Sequence, residues 1–240
     1  MSLTNVIAGV VPKLDGMSFS PPVACVYDPL DYAWDMHRQY LERFGRGRKQ
    51  VLLLGMNPGP FGMVQTGVPF GEVEAVRSWL GLRGVVRRPA NEHHKRPIEG
   101  LQSTRSEVSG RRLWSWAAQR FVTPMRFFRR FFVHNYCPLA FLSESGANLT
   151  PDKLKKTEAE PLFALCDELL RDVVEVLRPQ WVVGVGAFAE QRIARVFAGE
   201  LQRGELRCGR IPHPSPASPV ANKGWEQLAD RAFGDLGIAV

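Results

Sequence analysis

Cysteine is scarce in this chain, four residues in 240, and Cys25, Cys137, Cys166 and Cys208 stand far apart with no CxxC pair. That spacing argues against zinc ribbons, cysteine-held iron–sulfur clusters and a disulfide framework, and favours buried free thiols in a reducing compartment. Long apolar runs are missing too. Stretches such as Val51 to Leu54 and Trp181 to Val185 fall far short of the ~20 residues that span a bilayer, so no membrane segment is expected. Met1 to Pro12 has no basic lead into an apolar core of signal-peptide length, which predicts an intracellular protein, cytoplasmic in a bacterium or nuclear in a eukaryote.

Several signature motifs are absent as well: no Walker phosphate loop, no GxSxG elbow and no HExxH. Gly184-Val185-Gly186 lacks the third glycine of a dinucleotide fingerprint, with Glu190 and Gln191 standing where it would be needed. His93 and His94 lie in a basic loop with no third ligand at usable spacing, so they are expected to be solvated and no metal or other cofactor is expected. Repeats, low-complexity tracts and Ser/Gly linkers do not occur, and residues 1–240 read as one domain and a monomer. With 45% hydrophobic and 23% charged residues, a chain of this size buries roughly three quarters of its extended surface and needs no staple to fold.

Charge is present in excess and in one place. The net charge is +7, yet Arg83 to Arg130 holds twelve Lys or Arg against Glu92, Glu99 and Glu107, which is +9 there and −2 elsewhere. Concentrated positive charge attracts polyanions through counterion release, and nucleic acid is the commonest such partner.

Apolar runs at Gln50 to Leu54, Phe131 to His134, Trp181 to Val185 and Leu206 to Ile211 each stop at a loop rich in Gly, Pro or Asn, and read as strands. Between and before them, helical spacing covers Asp28 to Phe44, Glu72 to Leu80, Arg111 to Gln119, Glu160 to Leu177 and Ala187 to Phe197. This alternation predicts an α/β fold with a mostly parallel sheet. In such sheets ligands bind beyond the carboxyl ends of the strands. Asn57, Asn135 and His213, each in a loop after a strand, are therefore expected to converge on one pocket.

The residue types suit a site. Asn57 lies in Gly55-Met56-Asn57-Pro58-Gly59-Pro60, whose backbone is nearly fixed; an amide orients a water or reads a base edge but is no base itself. His213 sits among Pro212, Pro214 and Pro216, a pre-organised place for a hydrogen-bond donor. Phe70, between Pro69 and Gly71, can stack on a planar ring, worth about 1 to 3 kcal/mol for a nucleobase. These features suit an enzyme acting on nucleic acid, and leave beside it a non-catalytic nucleic-acid-binding module and a hydrolase of free nucleosides.

Longer blocks narrow the choice. Residues 55–63 with Gln65 to Glu72, Lys95-Arg96-Pro97, Ser106 to Gly110, Asn135 to Leu139, His213 to Pro216 and Ala221 to Trp225 closely resemble the single-strand-selective monofunctional uracil-DNA glycosylases, in the family's order and across roughly residues 50–228. The resemblance implies the uracil-DNA glycosylase fold, a four-stranded mostly parallel sheet flanked by helices. It also implies hydrolysis of the glycosidic bond of uracil and 5-hydroxymethyluracil in single- or double-stranded DNA. By position it makes Asn57 the water-positioning residue, His213 the group facing the base carbonyl, Asn135 the reader of the base edge and Phe70 the platform, with Met56 and Gly59 lining the base pocket. The segment from Pro214 through Ser215, Pro216 and Ala217 to Lys223 would enter the duplex as a wedge, and Arg96 would hold phosphate. Animal members carry an arginine after the HPSP block where this chain has Ala217, so a weaker wedge is expected.

Overall fold

Apolar runs buried on both faces become the centre of a parallel sheet, and a half-exposed fourth strand, burying Gly209 and Ile211, closes its edge. A computed structural model describes residues 2–240. Its strands are β1 (Val23–Tyr27), β2 (Val51–Gly55), β3 (Phe131–Asn135), β4 (Ala140–Ser143), β5 (Asn148–Leu149), β6 (Trp181–Val185) and β7 (Arg207–Ile211). Its helices are α1 (Leu3–Asp15), α2 (Pro29–Tyr32), α3 (Trp34–Phe44), α4 (Met63–Thr66), α5 (Val108–Phe121), α6 (Pro124–Phe128), α7 (Lys156–Leu177), α8 (Ala187–Val196), α9 (Ala198–Gln202) and α10 (Trp225–Asp235).

The fold is α/β, as expected, with a wholly parallel sheet in the order β3-β2-β6-β7 flanked by helices. Strand β2 pairs with β3 on one side and β6 on the other, so the chain leaves β2 in one direction and later returns to its other side. That reversal opens a crevice at the carboxyl ends of the central strands. All five residues of β2 and of β3 are buried, and around them Trp116 stacks on Phe233 at 5.2 Å and Phe127 on Phe131 at 5.1 Å.

Tertiary contacts altered several expected elements. The helix expected over residues 28–44 is two helices, because Ala33 leaves helical geometry (φ −107°, ψ 22°); Tyr32 thereby turns inward and donates its hydroxyl to the Val64 carbonyl. The expected helix over 72–80 is reduced to a π-helical turn, Ala75–Trp79. Helix α7 begins at Lys156 rather than Glu160, with Glu158 accepting from the Ser20 amide at 2.9 Å. Features with no counterpart in the sequence reading include α1, capped by Ser2 and burying Leu3, Val6, Ile7, Val10 and Leu14, the short α4, α6 and α9, the carboxyl-terminal α10, and an antiparallel sheet in the order β1-β4-β5. His93 is buried rather than solvated. Its Nδ1 accepts from the Lys95 amide and its own N–H donates to the Tyr27 hydroxyl oxygen.

One buried lysine joins the opposite, amino end of the sheet. Lys49, 4% exposed, precedes β2 and donates its ammonium to the Phe44 carbonyl at the end of α3 (2.7 Å) and the Phe128 carbonyl at the end of α6 (2.6 Å). Burial pushes its pKa down to about 8. Lys49→Met keeps the stem and strands two buried carbonyls, so urea denaturation should give a loss of about 2 to 4 kcal/mol in unfolding free energy.

Candidate active site

The crevice at the carboxyl ends of β2, β3 and β7 encloses a cavity of about 400 Å³ lined by Met56, Asn57, Gly59, Phe70, Asn135, His213, Ser215 and Pro216, together with Pro60, Glu107, Ser109, Asn148 and Thr150. The convergence expected from topology is present. Of the other residues singled out, Pro214, Ala217, Lys223 and Arg96 do not line this cavity.

A missing side chain lets the pieces approach. A Cβ on Gly55, the last residue of β2, would lie 2.6 Å from Phe70 Cε2 and closer still to Asn135 Oδ1. Asn135 is the last residue of β3 rather than part of a loop, so its side chain is aimed by the strand itself. Its Nδ2 reaches Met63 Sδ at 3.3 Å, while its Oδ1 is buried with no hydrogen-bond partner. An unpaired buried acceptor costs about 1 to 3 kcal/mol. A ligand donor in the cavity would recover that energy.

Phe70 is held against its own backbone preference. Its φ of 54° is unusual for a bulky residue. Its carbonyl accepts from the Trp114 indole at 2.9 Å and from the Glu72 amide at 2.7 Å. The ring stays at the wall, its centroid 6.2 Å from that of His213.

Asn57 turns its Nδ2 toward the carbonyls of Pro58 and Leu139, both at 3.4 Å, which leaves Oδ1 as an acceptor. His213 accepts the Ser215 amide at 3.1 Å on Nδ1, so the proton of the neutral ring is on Nε2. Burial lowers its pKa, and the imidazole acts at neutral pH as an uncharged donor. The His213 loop is tied at three points: the Trp225 indole donates to the Pro212 carbonyl, and Arg112 reaches the Pro214 carbonyl and Asn222 Oδ1. Gly186 permits the close packing behind it, since a Cβ there would lie 3.2 Å from His213 Cβ. Of the Gly184-Val185-Gly186 run, Gly186 thus makes room for the histidine, while Gly184 lets the backbone of Glu190 in α8 approach the strand.

Sequence reasoning missed Glu107. It caps α5, accepting from Ser109 and Gly110 amides at 3.3 and 2.8 Å, and lines the cavity with a carboxyl whose pKa burial raises. Its place in Ser106-Glu107-Val108-Ser109-Gly110, before a helix, was the available signal. Asn148 and Thr150 arrive with β5 and carried none.

The basic stretch is not one surface. Helix α5 runs from the cavity, at Ser109, toward the amino end of the sheet, and carries the later arginines away. Others are committed: Arg87 to Asp31 at 2.8 Å, Arg88 to Glu92 at 3.9 Å, Arg120 to Asp230, and Arg112 to the His213 loop. Beside the cavity, Arg96 and Arg105 flank the ring of Phe61 at 5.2 and 5.1 Å.

The family model of the Uracil DNA glycosylase superfamily matches residues 42–236. The single-strand selective monofunctional uracil-DNA glycosylases of Rattus norvegicus and Bos taurus are each 50% identical to the chain over 226 residues, which is 94% of this chain and 81% and 82% of those proteins. The chain belongs to this superfamily. Its fold is shared with the crystal structure of SMUG2 from Pedobacter heparinus, at a TM-score of 0.68 and 16% identity, over 99% of this chain and 97% of that one.

Within this glycosylase fold the histidine geometry is directly measurable. Long-range ¹H–¹⁵N spectra at pH 7 should show His213 as the Nε2-protonated tautomer, with a titration midpoint below the usual 6.5 or so. An Nδ1-protonated ring would contradict the Ser215 hydrogen bond.

Proposed function

We propose that the chain hydrolyses the glycosidic bond joining uracil or 5-hydroxymethyluracil to deoxyribose in DNA, releasing the free base and leaving the abasic site from which base excision repair starts. Other deaminated or oxidised bases of similar shape fall within the same proposal. The observation that carries it is the convergence on one cavity of an orphaned amide acceptor, an aromatic wall, a neutral histidine donor and an amide acceptor beside a rigid loop.

Each group matches one part of the reaction. Uracil presents N3–H between two carbonyls, and Asn135 meets it with Oδ1 for the N–H and Nδ2 for the neighbouring oxygen. Cytosine presents the reverse pattern at these atoms. Phe70 stacks on the ring. Gly59 contributes no side chain to the wall, which, with Met56, leaves room for a C5 substituent. Asn57 Oδ1 orients a water toward C1′; as the water oxygen bonds to C1′, the C1′–N1 pair leaves with the base. The resulting negative charge spreads to O2, where His213 Nε2–H donates, and the water's proton passes to solvent or to the departing base. An amide cannot take that proton, so stabilisation of the leaving base supplies most of the rate. No lysine lines the cavity, and the reaction ends without strand cleavage.

A base in a duplex must be extruded, at a cost of a few kcal/mol that is smallest for a mispair or a single strand. The segment from Pro214 to Lys223, anchored by buried Pro214 and Ala221, supplies the wedge, with Val220, 58% exposed, as its apolar point and exposed Ala217 as a small side chain in the same segment. Arg96 and Arg105 hold the flanking phosphates.

Two sets of variants test this reading. In single-turnover excision of uracil from an oligonucleotide, His213→Ala should lose about 10²- to 10³-fold, and Asn57→Ala about 10²-fold or more. Both should retain affinity for an abasic-site oligonucleotide; near-wild-type excision by either would remove its role. Wild type should rank single-stranded and mispaired uracil above uracil opposite adenine, and Ala217→Arg should raise only the last. Equal rates on all three, unchanged by Ala217→Arg, would show that extrusion does not limit the enzyme.

A further inference from the structure

A cavity larger than the candidate active site lies away from it. About 850 Å³ in volume, it opens at the amino end of the parallel sheet between the ends of α3 and α6. Arg43, Arg46, Arg126 and Arg129 form its walls and Lys49 its base. Its one acid, Glu42, is already held by Arg38 at 3.1 Å.

The free charge there is more than helix capping accounts for. Cations are favoured at helix carboxyl ends by about 0.3 to 1 kcal/mol each. Here Lys49 already satisfies the terminal carbonyls of Phe44 and Phe128, and Arg43 donates to Gly81. Arg46, Arg126 and Arg129 are exposed, and their guanidinium groups meet no acceptor among the described residues. Three unpaired guanidinium forks around one groove, above a buried ammonium, form an anion-binding surface whose donor geometry suits phosphate.

We propose that this groove binds the phosphate backbone of a second nucleic-acid segment, one not engaged by the catalytic cavity. The strand seated at the cavity does not reach it directly, because the five-residue strands alone separate the two ends of the sheet by about 16 Å and the openings lie at opposite ends. Nucleic acid is favoured over an acidic peptide because the chain belongs to a family of DNA enzymes and because a regular polyanion engages several forks at once with counterion release. A protein holding two segments can pass from one to the other without fully dissociating. This inference does not depend on which base is excised, since the second segment needs no lesion.

The test uses the full chain and two DNA molecules. A short biotinylated single strand bearing an abasic-site analogue is immobilised and loaded with protein, and a labelled undamaged duplex is then offered. Wild type should retain the duplex in a salt-dependent way. The triple variant Arg46→Ala/Arg126→Ala/Arg129→Ala should retain it about tenfold less, with the slope of log K against log salt flatter by about 2.7 for three lost phosphate contacts. Uracil excision from a short single strand and the melting temperature should stay near wild type. Undiminished capture by the variant, or no capture by wild type, overturns the proposal. Displacement of the duplex by polyglutamate at lower charge concentration than by unlabelled DNA would assign the groove to acidic peptides instead. An equal fall in excision would place these arginines on the lesion-bearing strand and overturn it as well.

Discussion

The approach of three chain segments across Gly55 is the constraint on which the rest of the site depends. β2 ends at a residue with no side chain, and into that space come the amide of Asn135 from β3 and the ring of Phe70 from the following loop. Any Cβ at Gly55 would push both outward. The parallel register pairs Gly55 with Asn135 directly, so the Asn135 amide and the loop bearing Asn57 are set by the same ladder that forms the core. The site is thus an extension of the sheet.

Positions that the sheet does not control are held by hydrogen bonds from buried or half-buried side chains and, at Phe70, also from the backbone. Trp114 and the Glu72 amide hold Phe70 at its positive φ, and Trp225 and Arg112 hold the His213 loop. In each case the acceptor is a backbone carbonyl of the loop, so holding the loop and satisfying the polar group are one event. The same economy operates at the other end of the sheet, where Lys49 binds the terminal carbonyls of α3 and α6. The difference is charge: the active-site end presents amides, a neutral imidazole and one buried carboxyl, whereas the amino end concentrates unpaired arginines. A glycosylase that must stabilise an anionic leaving group gains from a neutral, dry donor there, while a surface that only grips phosphate gains from exposed charge.

Much of this was legible in the amino-acid order, and for identifiable reasons. The central strands were, because parallel strands buried on both faces appear as unbroken apolar runs, and the three polar positions at or just after strand ends were, because α/β topology sends them to one crevice. Helix boundaries around Ala33, the π-helical turn at Ala75–Trp79 and the β1-β4-β5 sheet were not. They answer to contacts with distant segments, such as Tyr32 with Val64 and β4 with β1, which local periodicity does not encode.

What the sequence by itself determined, then, is the class of fold, the membership of the glycosylase family and the choice of Asn57, Phe70, Asn135 and His213 as residues that meet at one cavity. These follow from patterns spanning only a few residues each. Only the tertiary structure decided how the charge is spent. Twelve cations crowded between Arg83 and Arg130 read as one patch along the chain, but the fourteen residues of α5 part those before it, near the cavity, from those after it, at the amino end of the sheet. Along the way Asp31, Glu92, Asp230 and the His213 loop claim several of them. It also brought Glu107, Asn148 and Thr150 to the cavity wall. Neighbours in space across 30 to 100 positions are set by packing of whole elements, and no local window of sequence holds that information.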